Sequence, residues 1–126
     1  RRLIDNVMTQ LRSLIEETGV GFILVSHLRK AEGNLGHENG AEVAASHLRG
    51  SGSIAQISDC IIALERNQQA ENKTEANTTK IRVLKSRYTG DVGVATHLLY
   101  DTVTGRLTET AALDLTSDND TNFIPF

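Results

Sequence analysis

Hydrophobic residues recur at three- and four-residue spacing over residues 1–18, as they do on one face of an amphipathic helix. The stripe consists of Leu3, Ile4, Val7, Met8, Leu11, Leu14 and Ile15. Gly19 follows, and glycine is the commonest residue just past a helix C-terminus. The pattern therefore predicts a helix ending at Gly19. It is already running at Arg1 with no capping residue before it, so we expect the chain to be a fragment of a longer polypeptide.

Two short apolar runs predict buried strands. One is Val20–Val25, and the other is Cys60–Leu64, which follows short helical turns that Ser46 and Ser53 are placed to cap. Continuous apolar runs are typical of strands in parallel sheets that are covered on both faces. Residues 29–45 between the runs are polar and lack periodicity, which predicts a long loop.

The second half of the chain has the pattern of an antiparallel meander. Residues 68–78 are polar and predict a solvated connection, and residues 79–87 predict a strand. Gly90–Gly93 predicts a turn into the alternating strand Val94–Tyr100, and Asp101–Gly105 predicts a second turn into a final strand. The predicted fold class is therefore α/β, with parallel buried strands followed by an antiparallel β-meander.

Composition narrows the class of protein further. With 126 residues, a formal charge of −3 and 39% hydrophobic residues, the chain is predicted to form one ordinary globular domain. Its longest apolar run, Val20–Val25, is too short to span a bilayer, and its start does not resemble a signal peptide, so we expect an intracellular protein. A single cysteine, Cys60, and four histidines without zinc-site spacing predict neither an internal disulfide nor a bound metal. Residues 107–126 hold four acidic residues and no Lys or Arg, which predicts an acidic tail.

Candidate chemistry lies at strand ends and at one helix entrance. His27 follows the first predicted strand and is a candidate for contacting a phosphate or a catalytic water, or is satisfied by neighbouring backbone. Leu48–Ser53 (Leu-Arg-Gly-Ser-Gly-Ser) is a candidate anion site or an ordinary loop. Neither signal is specific by itself.

Two further pairs are candidates for binding a nucleotide. Lys85 and Arg87 are two residues apart on a strand, so both project from one face with backbones about 6.5 Å apart, either to bind phosphate or to keep an edge strand soluble. Arg66 and Tyr100 end two strands. If those ends meet, the guanidinium and the ring could hold a flat base between them; otherwise they are ordinary packing.

Four stretches taken together carry a resemblance: Val25–Leu28, Leu48–Asp59, Ile61–Asn67 and Lys85–Gly93. They resemble the carboxyl-terminal half of the RecA-like motor of ring-shaped replicative DNA helicases. Phage primase-helicases and the mitochondrial helicase Twinkle are the nearest relatives by this resemblance, and the bacterial DnaB helicases are more distant. The resemblance implies the C-terminal half of a RecA-like P-loop NTPase domain over residues 1–110, with residues 111–126 as a disordered acidic tail.

The same resemblance implies roles for the candidates. Arg87 matches the arginine finger that enters a neighbouring subunit's nucleotide site, and Lys85 matches its phosphate-contacting companion. His27 resembles the phosphate sensor, and Arg66 and Tyr100 match residues that clamp the base. We expect Lys85 and Arg87 to point away from their own protein; side chains turned inward would remove the support that they give to a motor.

DNA and protein partners are implied as well. The resemblance places single-stranded DNA against Arg49 and the Gly50 backbone, with further contacts from Arg29, Lys30 and Ser58. It also implies a hexameric ring of this chain. The acidic tail resembles phage tails that dock on the replicative DNA polymerase, with Phe123 and Phe126 as anchors; the alternative is an inert solubilising tail.

The family's phosphate-cradling lysine motif, its magnesium-binding acid and its catalytic glutamate would all precede Arg1. We therefore expect a fragment that is inactive alone, whose NTP (ATP or dTTP) and Mg²⁺ are bound mainly by other residues. The predicted function is NTP-driven 5′-to-3′ translocation on single-stranded DNA and duplex unwinding, in the cytoplasm of a phage-infected cell or, alternatively, in mitochondria. Other hypotheses are a RecA- or RadA-type recombinase filament and a non-catalytic polymerase-docking module.

Overall fold

The computed structural model describes residues 2–29, 36–48 and 52–111. Its helices are α1 (Arg2–Thr18), a 3₁₀ turn (Ala45–His47), α2 (Ser53–Ile57) and α3 (Lys73–Ala76). Its strands are β1 (Cys60–Arg66), β2 (Thr78–Ser86), β3 (Gly93–Tyr100) and β4 (Leu107–Thr110). No helix in these three ranges is long and apolar enough to cross a membrane.

Helix α1 confirms the first prediction from the pattern. It ends where Gly19 adopts a positive φ of 69° and donates its N–H to the carbonyl of Ile15 at 2.8 Å. Residues with a side chain rarely adopt this backbone conformation, which is why glycine stands there. The apolar stripe is only partly covered, because Met8 is buried while Leu3 is 75% exposed.

The four strands form one antiparallel sheet in the order β1-β2-β3-β4. The predicted meander is therefore confirmed. Asp101 stabilises the last turn by accepting hydrogen bonds from the N–H groups of Val103 and Thr104, and Gly105 closes it with a φ of 72°. These backbone hydrogen bonds lower the pKa of Asp101, because they stabilise its charged form.

The two apolar runs do not form strands buried on both faces, so that prediction is wrong. Val20–Val25 has no strand structure, and Ile23 and Val25 are 94% and 88% exposed. In β1, Ile61 and Ala63 are buried, whereas Ile62 is 59% exposed. A strand is buried on both faces only when a neighbouring strand and cover on each side are present. The described residues supply no parallel partner, and their sheet is wholly antiparallel.

Several local details also differ from the predictions. The short turns near residues 46 and 53 are present, but Ser46 lies inside the 3₁₀ turn, and Gly52 rather than Ser53 is the N-cap of α2. Helix α3 was missed inside the polar connection. Its N-cap, Asn72, accepts hydrogen bonds from the N–H groups of Thr74 and Glu75. The sequence Asn-Lys-Thr-Glu at this point has the form of a helix-start signal, which could have revealed it.

Candidate functional site

Lys85 and Arg87 converge at the end of β2 that meets helix α2. Lys85 Nζ donates to the carbonyls of Ala55 at 2.7 Å and Gln56 at 3.1 Å. Arg87 Nη2 donates to the same Gln56 carbonyl at 3.1 Å. Cations favour helix C-termini, where carbonyls lack partners within the helix. β2 also has one extra residue relative to β1 between Val83 and Lys85, an irregularity of the kind that re-aims side chains.

The expectation that both cations point away from their own protein is wrong. Lys85 is half-buried against α2, and two of its three N–H donors are taken by α2 carbonyls. Arg87 is also bonded to its own chain, but its side chain is 41% exposed. The predicted convergence of the two charges therefore holds. Arg87 is the member of the pair that stays open to an external ligand.

Asp59, which the sequence reasoning did not single out, joins these cations to α1. Its Oδ1 accepts a hydrogen bond from Arg87 Nη1 at 2.7 Å, and its Oδ2 accepts one from Arg12 Nη1 at 2.8 Å. The hydrogen bond from Arg12, with the charges of Arg12, Arg87 and Lys85, holds the pKa of Asp59 below its usual value against the opposing effect of burial. Asp59, Lys85 and Arg87 are called the α2 end of the sheet below.

Arg66, Asn77 and Tyr100 form the opposite end, called the α3 end of the sheet. Arg66 Nε donates to the carbonyl of Ala76 at 2.6 Å, and its Nη2 donates to Asn77 Oδ1 at 3.3 Å. The backbone N–H of Tyr100 donates to the Asn77 carbonyl at 2.9 Å. The two strand ends that were predicted to meet are thus joined through Asn77. β2 lies between them, so their backbones are about 10 Å apart, a spacing that leaves room for a flat ring between the side chains.

A cleft of about 290 Å³ opens beside Arg66. It is lined by Asn39, Gly40, Glu65, Arg66, Asn67, Glu75, Thr78, Lys80 and His97. This lining is polar and carries both signs of charge. The cleft lies next to the side chain that the sequence assigns to base binding, so a nucleoside could be accommodated at this edge.

Glu65 supports the floor of that cleft. Its side chain is 2% exposed and accepts hydrogen bonds from the Val43 N–H at 2.9 Å and from Arg82 Nε at 2.7 Å, with Lys80 Nζ at 3.9 Å. Burial alone would raise the pKa of Glu65, but these hydrogen bonds and charges outweigh it and the pKa is lowered. The carboxylate ties the 36–48 segment to the sheet.

His27 ends the exposed 20–27 segment, and its imidazole makes no hydrogen bond with the described residues. It contacts neither Lys85 nor Arg87. The chain beyond it is anchored by the backbone bond from the Arg29 N–H to the His47 carbonyl at 2.7 Å. His27 is therefore placed at the start of the loop, separate from the α2 end.

The predicted DNA contacts are only partly described. Ser58 ends α2, and its hydroxyl donates to the Ile54 carbonyl at 2.6 Å, which gives it a role in closing the helix. Arg29 is exposed. Lys30, Arg49 and Gly50 lie outside the described residues, as do the tail anchors Phe123 and Phe126. Within the ranges that are described, no cluster of three or more His, Cys, Asp or Glu is arranged to hold a metal ion.

The residues missed from sequence are those that support the candidates. Asp59 and Glu65 each begin or end a strand beside a predicted site residue, and a carboxylate there is a signal that cations nearby will be paired. Asn77 gave no such signal, because its role depends on a helix that was not predicted.

Comparisons with known proteins agree with this arrangement. The family model described as "DnaB-like helicase C terminal domain" matches residues 1–108. The DNA helicase/primase of Enterobacteria phage T3 is 44% identical over 107 residues, which cover 85% of this chain and 18% of that protein. The chain thus spans less than a fifth of this relative. The match extends over α1, the exposed 20–27 segment and the whole sheet, and on this evidence the chain belongs to the family of DnaB-like helicase C-terminal domains.

Proposed function

We propose that this chain is the carboxyl-terminal part of the motor of a ring-shaped replicative helicase, which couples NTP hydrolysis to 5′-to-3′ translocation on single-stranded DNA. Family membership and the phage helicase/primase relative support this proposal. A replicative role in an infected cell's cytoplasm follows from the same relative. The observation that carries the proposal is the separation of two arginines along the sheet.

Arg87 and Arg66 lie at opposite ends of the sheet. The nine residues of β2 separate these ends, a length of roughly 26 Å at about 3.3 Å per residue. Their guanidinium groups bond to different helices, Arg87 to α2 and Arg66 to α3. A single nucleotide would have to extend along the whole strand to contact both. We therefore assign the two ends to two different nucleotides, which is the arrangement expected of a ring with its sites between subunits.

In this arrangement the α2 end serves the neighbour's triphosphate. Arg87 stabilises negative charge on the transferring phosphoryl group, and Lys85 contributes its remaining N–H donor and holds α2 beside the arginine. The α3 end clamps the base of the subunit's own nucleotide between Arg66 and Tyr100. His27 senses the terminal phosphate. Mg²⁺ and the phosphate cradle are supplied by residues outside this chain.

The DNA channel adjoins the α2 end. Residues 49–51 lead directly into α2, whose last carbonyls hold Lys85 and Arg87. Arg49 and the Gly50 backbone, with Arg29, Lys30 and Ser58, contact the DNA backbone in this proposal, because cations and N–H groups neutralise phosphates without reading sequence. The tail residues Phe123 and Phe126 dock on the replicative polymerase.

The test is the Arg87→Ala variant of the complete protein, with Arg106→Ala as a matched control on an exposed turn. Loss of a finger arginine removes 10³-fold or more of the rate, so DNA-stimulated hydrolysis should fall by about that factor while the control stays near wild type. Hydrolysis within a few-fold of wild type would reject the assignment of Arg87.

Mixed rings test whether the arginine acts across subunits. Subunits with Arg87→Ala keep an intact cradle, and subunits altered at the cradle lysine keep an intact arginine. Mixing two inactive preparations should therefore restore hydrolysis at some interfaces. No recovery would place Arg87 at its own subunit's nucleotide. Electron micrographs of closed rings, rather than open filaments, would separate a helicase from a recombinase.

A further inference from the structure

The Asp59 carboxylate is the one acidic side chain bonded to Arg87 in the described parts of the chain. Its two oxygens hold cations from different elements: Oδ1 takes Arg87 Nη1 at 2.7 Å, and Oδ2 takes Arg12 Nη1 at 2.8 Å. A carboxylate with both oxygens committed has little freedom to rotate. Arg12 therefore fixes the orientation in which Asp59 meets Arg87.

Arg87 is held at more than one point. Its backbone N–H donates to the Asp59 carbonyl at 2.8 Å, and its Nη2 donates to the Gln56 carbonyl at 3.1 Å. The backbone and both terminal nitrogens are thus bound by the short stretch that ends α2 and begins β1. Guanidinium is planar and presents its donors in a rigid fork, so two such contacts define the plane of the group.

These contacts leave Arg87 able to bind a ligand. An arginine has five N–H donors, and the bonds to Asp59 and Gln56 use two of them. The side chain is 41% exposed, in contrast to Arg82, which is 15% exposed and paired with the buried Glu65. Arg87 therefore resembles a preorganised group rather than one sealed in a structural ion pair.

The charge balance at this end also suits an anion. Arg12, Lys85 and Arg87 are three cations, and the acidic side chains bonded to them are Asp59 and Glu16. The cluster keeps a net positive charge after these pairs are counted. An approaching triphosphate is attracted to it, and the entropy of fixing a long arginine side chain has been lost before it arrives.

We propose that Asp59 is a positioning residue, which together with the Gln56 carbonyl holds Arg87 in the orientation that reaches the phosphates of a nucleotide on a neighbouring subunit. The inference rests on the proposed function and adds a residue to it. Asp59 acts through Arg87 and does not itself touch the nucleotide. It also connects the arginine to α1, through Arg12, and to the helix that follows the DNA loop.

The first test is Asp59→Asn in the complete protein. Asparagine keeps the size and the backbone carbonyl but loses the charge that orients the guanidinium. Misplacement of a reacting group by about 1 Å costs up to about 10²-fold, so kcat for DNA-stimulated NTP hydrolysis should fall 10- to 100-fold while KM for the nucleotide changes less than about twofold. Asp91→Asn, the same substitution in the adjacent turn, should keep the wild-type kcat.

Two further variants separate positioning from stability. Asp59→Glu keeps the charge and should recover part of the lost kcat. Arg12→Gln removes the other cation of Asp59 but keeps the pair with Arg87, so kcat should stay within about threefold of wild type. Equal losses in Arg12→Gln and Asp59→Asn would mean that stability of the network sets the rate, and the inference would fail. Thermal unfolding and ring assembly are measured for each, and if Asp59→Asn does not assemble, the Asp59→Glu and Arg12→Gln rates decide.

A double variant distinguishes this inference from the proposed function. Asp59→Asn should cause no further loss in an Arg87→Ala background, because its effect passes through Arg87. A loss of kcat in Arg87→Ala combined with a normal kcat in Asp59→Asn would overturn the inference and leave the proposed function standing. Normal hydrolysis in Arg87→Ala would reject both. An additive loss in the double variant would show that Asp59 acts elsewhere.

Discussion

The two ends of the sheet hold an arginine in different ways. At the α2 end, Arg87 is paired with a carboxylate and remains exposed. At the α3 end, Arg66 is bonded to the neutral oxygens of Ala76 and Asn77 and keeps its charge unpaired in the described residues. A charged partner fixes the orientation of a guanidinium strongly, whereas neutral acceptors leave its face available for stacking. The difference fits a phosphate contact at one end and a base contact at the other.

The largest effect expected from this comparison concerns Glu65, since the α3 end rests on a buried carboxylate and the α2 end does not. Glu65→Gln removes the charge that accepts the Val43 N–H. Hydrogen bonds to charged groups contribute about 2 kcal/mol, so the Val43 amide should exchange about thirty-fold faster, as measured by hydrogen exchange. Asp91→Asn, near the α2 end, should leave this amide unchanged. An unaltered exchange rate at Val43 in Glu65→Gln would show that the carboxylate does not support the α3 end.

The pH dependence of this effect has a definite sign. The pKa of Glu65 is lowered in the folded protein, so its contribution is complete above the unfolded pKa of about 4.3 and is lost as pH falls through the folded value. The difference between wild type and Glu65→Gln should therefore be largest near neutral pH and disappear on acidification.

A second, smaller effect is expected for Arg66→Ala. A cation over an aromatic face contributes about 0.5–2 kcal/mol, so the KM for the nucleotide should rise about tenfold while kcat stays within about twofold. Arg87→Ala is expected to do the opposite, lowering kcat with little change in KM. Steady-state hydrolysis at saturating DNA measures both. A large loss of kcat in Arg66→Ala would remove the distinction between the two ends.

The smallest effect should come from Asn77→Ala. This change deletes the side-chain acceptor of Arg66 Nη2 but keeps the backbone carbonyl that binds the Tyr100 N–H. One net hydrogen bond corresponds to about a threefold rise in nucleotide KM. Combined with Arg66→Ala, it should add nothing, because both changes act on the same side chain. A further rise in KM in the double variant would assign Asn77 a separate role.

Local patterns predicted the meander well. The alternating strand before Tyr100 and the turn at Asp101–Gly105 depend on neighbours in the sequence, and both are present. Asp101 and Gly105 define that turn by themselves, through a side-chain acceptor and a positive φ. The end of α1 at Gly19 was predictable for the same reason.

Val20–Val25 illustrates where such patterns fail. Its apolar run is compatible with a strand, but a strand exists only through hydrogen bonds to another strand, which may be distant in sequence. The described residues provide none, and the segment is exposed. The orientation of Lys85 and Arg87 was misjudged for a related reason. Their spacing fixed the face of β2 but not the helix, α2, that packs there and accepts their hydrogen bonds.

The sequence by itself determined the order of helices and strands in the second half of the chain, the pairs of candidate residues and the resemblance that the family match confirms. These depend on local periodicity and on motifs that persist along the chain. Only the tertiary structure decided that Asp59 lies between Arg12 and Arg87, that Asn77 joins Arg66 to Tyr100, and that Glu65 is buried. Such contacts join residues up to 47 positions apart, and no local pattern records which distant partner will satisfy a charge.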